Sequence, residues 1–363
     1  MKKTLVAMAV MAAAGAASAQ SSVTMFGIVD VTVQYGTGDS NRLSIQPNGH
    51  SASRLGIRGV EDLGGGLSAN FWLEAGIEPD TGVGQPSNVN NQANPTPLTA
   101  GLQGIMFNRR STIGLAGGFG EIRLGRDYMG HFWAHTAYDP MGANGVGASL
   151  AFVNHIAAWP TATRASNSIH YLLPANIGGF YGQVGYHLGD NLRNGAATED
   201  DGNGYSARLG YAAGPFDVSA AFGRADYAST ATTGDVTTWN VGGSWNFGVA
   251  KASAMYSRTE IDSLAATATR ELNSWVAGVN VPVGTGEIRA AYSQSEFTLG
   301  TGAEPRSRKV ALGYVHNLSK RTAVYTSVAH LRNNGGASAA LGRATVSANG
   351  KSSGVDIGVR HAF

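Results

Sequence analysis

The stretch GVDIGVRHAF, residues 354–363, closes the chain on an aromatic residue. Val355, Ile357, Val359 and His361 fall on one parity, and Asp356, Gly358, Arg360 and Ala362 on the other. A period of two sends alternate side chains to opposite environments, so this is a strand with one mostly apolar face. The alternation runs to the last residue, where a water-soluble domain ordinarily frays into a polar tail. Such an ending asks for a partner strand and for an apolar medium on one side.

The same alternation recurs along the chain. VTMFGIVDVTVQY (23–35) puts Val23, Met25, Gly27, Val29, Val31, Val33 and Tyr35 together, with Thr24, Asp30, Thr32 and Gln34 opposite. LSANFWLEAGI (67–77) opposes Leu67, Phe71, Leu73 and Ile77 to Ser68, Asn70, Trp72 and Glu74. TTWNVGGSWNFG (237–248) groups Trp239, Val241, Trp245 and Phe247. Helical spacing fits these windows poorly. The connections between strands alternate in size. Short ones, most with Gly or Pro for a tight turn, lie at 61–66, 117–120, 177–180, 212–216, 246–250, 282–287 and 317–322. Long polar ones lie at about 37–52, 79–107, 128–166, 190–203, 228–235, 261–270, 298–306 and 333–350. Seven short and eight long joints imply sixteen strands.

MKKTLVAMAVMAAAGAASAQ opens with Lys2 and Lys3, continues through a short apolar stretch and reaches a small-x-small site at Ala17–Ala19. This is the pattern of a cleaved secretory signal over residues 1–19, which leaves 20–363 as one domain. The exported chain has no Cys, so it is not a disulfide scaffold. Gly is 51 of 363 residues, about twice the usual ~7 per cent share. Of 26 Lys and Arg, two lie in the signal, so the remaining 24 balance 24 Asp and Glu; no global basicity points to nucleic acid. After Ala19 no apolar run is long enough for a membrane helix.

An exported chain of sixteen two-faced strands admits a soluble sandwich or propeller, or a transmembrane barrel. Even strand number, short turns at one end and long loops at the other favour an all-β, sixteen-stranded antiparallel transmembrane barrel. Closure pairs every backbone group, which lipid demands. Strand sixteen then closes on strand one, and Phe363 sits at a membrane interface where aromatics gather. A terminal Phe also resembles that of outer-membrane proteins in which it serves the barrel-assembly machinery.

Inside such a barrel, parity places the arginines. Leu55 and Ile57 face lipid, so Arg54 and Arg58 point inward; Ile113 and Leu115 likewise send Arg110 inward and leave Arg109 at the rim. The same counting sends Arg123, Arg164, Arg208 and Arg289 to the lumen, and Arg126 away from it. Inward is the cheap choice, since a cation at mid-membrane on the lipid face costs roughly 2–4 kcal/mol. Asp30, Glu61, Glu74 and Glu121 are the wall carboxylates available to pair with them.

SRLGIRGVEDLGGGLSANFWLE (53–74) resembles the second strand, first periplasmic turn and third strand of Gram-negative general porins, and NRRSTIGLAGGFGEIRLGRDY (108–128) resembles their fourth and fifth strands. SSVTMFGIVDV and the C-terminal stretch fit the same pattern, closest to betaproteobacterial porins. The resemblance implies a homotrimer in outer-membrane lipid and lipopolysaccharide, passive diffusion of small hydrophilic solutes and ions, and a third long loop folded into the lumen. It further implies a constriction between loop acids and wall arginines, here Arg54, Arg58, Arg110 and Arg164. Loop three (about 128–166) offers only Asp139, with Asp127 at its root, while His131, His135 and His155 are mostly neutral at pH 7. So sparse an acidic face suggests weak anion preference.

No H-E-x-x-H, G-x-S-x-G or Cys nucleophile is present, so no catalytic residue, cofactor or metal is expected. Glu199, Asp200 and Asp201 read as a solvated acidic loop before a metal site. Two other readings stay open: a substrate-specific channel for organic anions, and a plugged or adhesive barrel.

Overall fold

The computed structural model describes residues 22–88, 91–92, 104, 106–229, 234–263 and 270–363. The expected signal over 1–19 lies outside them. Sixteen antiparallel strands form the wall: β1 (Ser22–Thr37), β2 (Arg54–Gly64), β3 (Leu67–Glu78), β4 (Arg110–Gly117), β5 (Gly120–Tyr128) and β6 (Arg164–Leu172). β7 (Phe180–His187), β8 (Gly204–Ala213), β9 (Phe216–Ala225), β10 (Val236–Asn246) and β11 (Lys251–Ile261) follow. β12 (Arg270–Val283), β13 (Gly286–Leu299), β14 (Arg306–Asn317), β15 (Thr322–Asn334) and β16 (Lys351–Ala362) complete it. Each pairs with its neighbour in sequence, and β16 pairs with β1 from Ile28↔Ala362 to Thr37↔Ser353. The sheet is therefore closed and leaves no edge.

At the seam, Gly27 and Phe363 exchange two backbone hydrogen bonds of 3.1 Å each. Gly27 is required here by proximity: a Cβ would meet the Phe363 ring at 2.3 Å and the Arg54 carbonyl oxygen at 2.9 Å. The terminal aromatic thus covers the glycine of the first strand, and pairing continues to the end of the chain.

The alternation is borne out on the wall. Val355, Ile357 and Val359 are less covered than Gly354, Asp356 and Gly358, which are buried inside. Outward aromatics gather in two belts, one with Phe180, Tyr211, Phe216 and Trp245 near the short turns, the other with Tyr205, Phe222 and Trp239 toward the long loops. Two belts flanking an apolar band mark the two interfaces of a bilayer. At the short end, Gly214 (φ +56°) and Gly284 (φ +58°) supply the left-handed backbone of the two-residue turns. Two features beyond the sixteen strands lie in the long loops. A short strand, Arg42–Pro47, pairs with the upper half of β1, and Val83–Gly84 pairs with the end of β3.

Loop three leaves the wall after Tyr128 and returns at Arg164. It is not structureless: a 3-10 turn (Gly130–Phe132) leads into α1 (Trp133–Ala137), and α2 (Leu150–Ile156) follows, with Ser149 Oγ accepting from Phe152 N at 3.1 Å. It lies inside the barrel against β8–β16, as the wall residues holding it show. Ser206 Oγ accepts from Gly130 N (2.9 Å), Ser293 Oγ from Leu150 N (3.0 Å) and Asp356 Oδ2 from Val146 N (2.6 Å). Asn240 donates to His131 O (2.7 Å) and Asn280 to Pro140 O (2.9 Å), while Lys309 Nζ donates to the carbonyls of Val146 (3.2 Å) and Ala148. Met141, Val146 and Leu150 bury themselves on Ala311, Ala329, Leu331 and Leu341.

Room for this packing comes from glycines on the lumen parity. A Cβ at Gly223 would meet His131 Nδ1 at 2.2 Å, at Gly242 the Tyr138 ring at 2.4 Å, at Gly278 Pro140 Cγ at 2.8 Å, and at Gly354 Val146 Cγ1 at 2.8 Å. Part of the high glycine content is therefore the imprint of loop three on the wall.

Candidate pore constriction

Loop three covers one side of the lumen and leaves the other, β2–β6, facing a cavity of about 740 Å³. Charge on its lining is one-sided. Among the described residues, Arg54, Arg109, Arg110, Arg164 and Arg289 line it, against the single carboxylate Glu74. Glu74 is buried and accepts from Arg109 Nε at 2.5 Å and Trp72 Nε1 at 3.0 Å, with Arg54 Nη1 at 3.5 Å. Behind the lining, Asp127 lies against Arg110 and Glu287 against Arg289, so three carboxylates meet five arginines and the cluster keeps a net positive charge.

The four wall arginines expected from parity fall into different surroundings. Arg54, Arg110 and Arg164 line the cavity together. Arg58 lies outside that lining: its guanidinium carbon sits 5.0 Å from the Trp72 ring centre and 5.4 Å from that of Phe26. Trp72 also has Arg110 at 4.7 Å, so one indole faces two arginines. Arg164 stacks on Tyr128 at 4.2 Å and donates to its hydroxyl at 2.6 Å. It has no carboxylate within 4 Å among the described residues.

Sequence parity misplaces Arg109. It precedes β4 and is expected at the rim, but it is buried beside Glu74 and donates to Tyr128 Oη at 2.8 Å. Parity holds for Arg126, which pairs across the sheet with Ser111 on the outward side and donates to the carbonyls of Asn108 (2.6 Å) and Asn88 (3.0 Å). A register irregularity between Gly125 and Asp127 separates it from Tyr128 and lets the strand end re-aim its side chains. Arg289 reaches the cavity from the opposite wall, paired with Glu287 at 2.6 Å and donating to His50 Nδ1 at 3.3 Å. Burial, with Arg289 and Arg360 nearby, pushes His50 down to about 3, so this loop-one imidazole is a neutral acceptor at pH 7.

Neither acid expected as a loop-three constriction residue lies on the cavity lining. Asp127 is the penultimate residue of β5, buried, with Arg123 at 3.0 Å and Arg110 at 3.4 Å. Asp139 is buried within the loop and accepts from the backbone of Met141 (2.9 Å) and Ser149 (2.8 Å), and burial raises its pKa. Its charge is spent on holding the loop's own turn. Among the other wall acids, Glu121 pairs with Arg123 at 2.7 Å. Asp30, expected to take an arginine, instead accepts from the backbone of Gly49 (3.0 Å), His50 (3.2 Å) and Ser51 (2.7 Å), anchoring loop one inside the barrel.

Where a carboxylate face would stand, loop three presents Phe132, Trp133, Phe152 and Ile156 to the cavity. Its three histidines lie on the other side, buried against Trp159 and the wall. His131 and His155 Nε2 both approach Ala162 O (3.1 and 3.0 Å), and the rings of His135 and His155 stack 3.8 Å apart. Burial holds His131 down to about 4, His135 to about 3 and His155 well below its usual range. They add no charge to the lumen at neutral pH.

Comparisons with known proteins agree with this architecture. The family model for Gram-negative porins matches residues 5–336. Outer membrane porin protein 32 of Delftia acidovorans is 39% identical over 376 residues, covering 100% of both chains. An outer membrane porin protein of Bordetella pertussis is 27% identical, again over 100% of both. The solved structure of an anion-selective porin from Comamonas acidovorans superposes with a TM-score of 0.81 at 35% identity, covering 95% of this chain and 100% of that one. With its closed sixteen-stranded wall, inward third loop and two aromatic belts, the chain belongs to the Gram-negative porin family and forms a channel in the outer membrane.

Proposed function

We propose that this porin passes small anions in preference to cations, with Arg54, Arg110 and Arg164, joined by Arg109, as the residues that set the preference. The observation that carries the reading is the cavity lining, where among the described residues five arginines stand against one carboxylate and no acid comes from loop three. A ring of like charge raises the local concentration of the opposite ion and sets selectivity in a narrow pore. The solved relative from Comamonas acidovorans carries the description anion-selective, in keeping with it. Arg58, packed between Phe26 and Trp72, acts from the periplasmic side of the narrowing; Asp127 tempers Arg110 and Arg123, and Asp139 shapes the loop.

Liposome swelling with solutes of matched size tests this. Anionic solutes should enter faster than cationic ones of equal size, and the gap should shrink as salt screens the arginines over a Debye length of ~8 Å at physiological ionic strength. Faster entry of cations would contradict the reading.

The working unit is read as a homotrimer delivered by cleavage after Ala19 and inserted, through Phe363, by the barrel-assembly machinery into lipid and lipopolysaccharide. The exposed outward valines of β1 and β16, Val29, Val33 and Val359, offer an apolar face for another copy. Mass measurement of the purified, detergent-solubilised protein and N-terminal sequencing test both parts. A monomer, or a chain that begins at Met1, would count against them.

A further inference from the structure

The anion reading leaves one property of the cavity unexplained: its second wall is aromatic and aliphatic. Tyr128 and Phe132 stack with ring centres 5.4 Å apart, Trp133 lies 4.9 Å from Tyr128, and Phe152 lies 6.1 Å from Phe132. Ile156 is 40% exposed on the same lining. Phe132 is buried, but Trp133, Phe152 and Ile156 keep exposed surface on a loop inside the barrel, beside Tyr128 at the end of β5, so neither lipid nor a neighbouring subunit covers them. Apolar surface left wet forgoes about 25 cal/mol per Å², and a loop that only narrows a path for inorganic ions gains nothing from it.

The strip is joined to the cations. The Tyr128 hydroxyl accepts from both Arg109 and Arg164 while its ring belongs to the aromatic row. Arg164, with no carboxylate within 4 Å among the described residues, lies over that ring. Planar guanidinium forks pair with a carboxylate through two hydrogen bonds, and an adjoining ring stacks on aromatic faces. We propose that the cavity is a transient binding site for aromatic monocarboxylates of benzoate size, with the carboxylate at Arg164 and Arg109 and the ring against Trp133, Phe152 and Ile156. This rests on the anion reading above and names a solute class for it.

Single-channel recording with added solute tests the proposal. Benzoate should interrupt the chloride current in a saturable way, at roughly three- to tenfold lower concentration than acetate, the scale of one aromatic contact. Glutarate, larger but without a ring, should follow acetate, and benzylammonium should fail to interrupt. In Ile156→Asn and Phe152→Ser the ratio of acetate to benzoate half-blocking concentrations should fall toward unity, and Ile156→Leu should retain it. Arg164→Gln should weaken block by both carboxylates.

Equal block by benzoate and acetate in a channel that selects chloride over potassium would overturn this proposal alone. So would block by benzylammonium as strong as by benzoate. Potassium selectivity of the unmodified channel would remove the anion reading and this inference with it.

Discussion

The two sides of the lumen are built from opposite materials. Along β2–β6 the inward positions carry large charged or aromatic groups, among them Arg54, Arg58, Trp72, Arg110 and Arg123. Along β9–β16, beneath loop three, many are small, among them Ser219, Gly223, Gly242, Ser274, Gly278, Ser293 and Gly354, with Asn240, Asn280, Lys309 and Asp356 tying the loop's backbone. The small side chains accept a loop and disappear beneath it; the large ones stay facing water. On the proposed reading selectivity and shape are thereby separated: the arginine side sets which ions are favoured, and the glycine–serine side holds loop three at a fixed distance from it.

The largest expected break of that separation is on the loop's latch. Lys309→Met strips the donor from the carbonyls of Val146 and Ala148, at a cost of about 1–3 kcal/mol per buried group left unpaired. The loop should leave its seat while the barrel stays closed. Bilayer recordings should show a noisier, larger conductance, and the heat-modifiable band of the folded barrel should persist on gels; quiet currents of unchanged size would deny the latch.

Acid should loosen the same side next. His131, His135 and His155 titrate near their ordinary value of ~6.5 once released, and at about 4 and 3 for the first two while buried. Between those limits the released state binds more protons, so docking is fully favoured above pH ~6.5 and weakens as pH falls toward about 4. Conductance noise should therefore rise across that window, and His135→Phe, which keeps a ring and cannot titrate, should reduce the rise. An unchanged acid response in this variant would remove His135 from the explanation.

A smaller effect is expected on the arginine side from Glu74→Gln. Removing this carboxylate should raise the chloride-to-potassium permeability ratio, by less than about twofold because salt screens much of the change; the amide oxygen still accepts from Arg109, while its NH2 cannot accept from Trp72. A lowered ratio would show that Glu74 orients the arginines more than it neutralises them.

Most of the fold is legible in the sequence, because lipid on one face and water on the other impose a period of two that a handful of windows reveal. Gly27 through Tyr35 and Val355 through Phe363 already carry the closure of the barrel. The site is legible only in part. Parity finds Arg54, Arg110 and Arg164, but it cannot place Arg109, which precedes β4, where a strand's rule has not begun. It also cannot reveal that Asp139 is consumed by the backbone of Met141 and Ser149, since that depends on how the loop turns. A signal for the loop's seat does exist in the chain. Gly223, Gly242, Gly278 and Gly354 share the lumen parity on strands far from loop three in sequence.

The measurement that bears most directly on the division of labour is the reversal potential of single channels under a steep KCl gradient, for the native protein and for the double variant Arg110→Gln, Arg164→Gln. The native channel should reverse with anionic sign, and the variant should move toward the unselective value while its steps stay quiet, because the latch is untouched. A native reversal of cationic sign, or an anionic reversal that the variant leaves unmoved, would contradict the assignment of selectivity to the arginine wall.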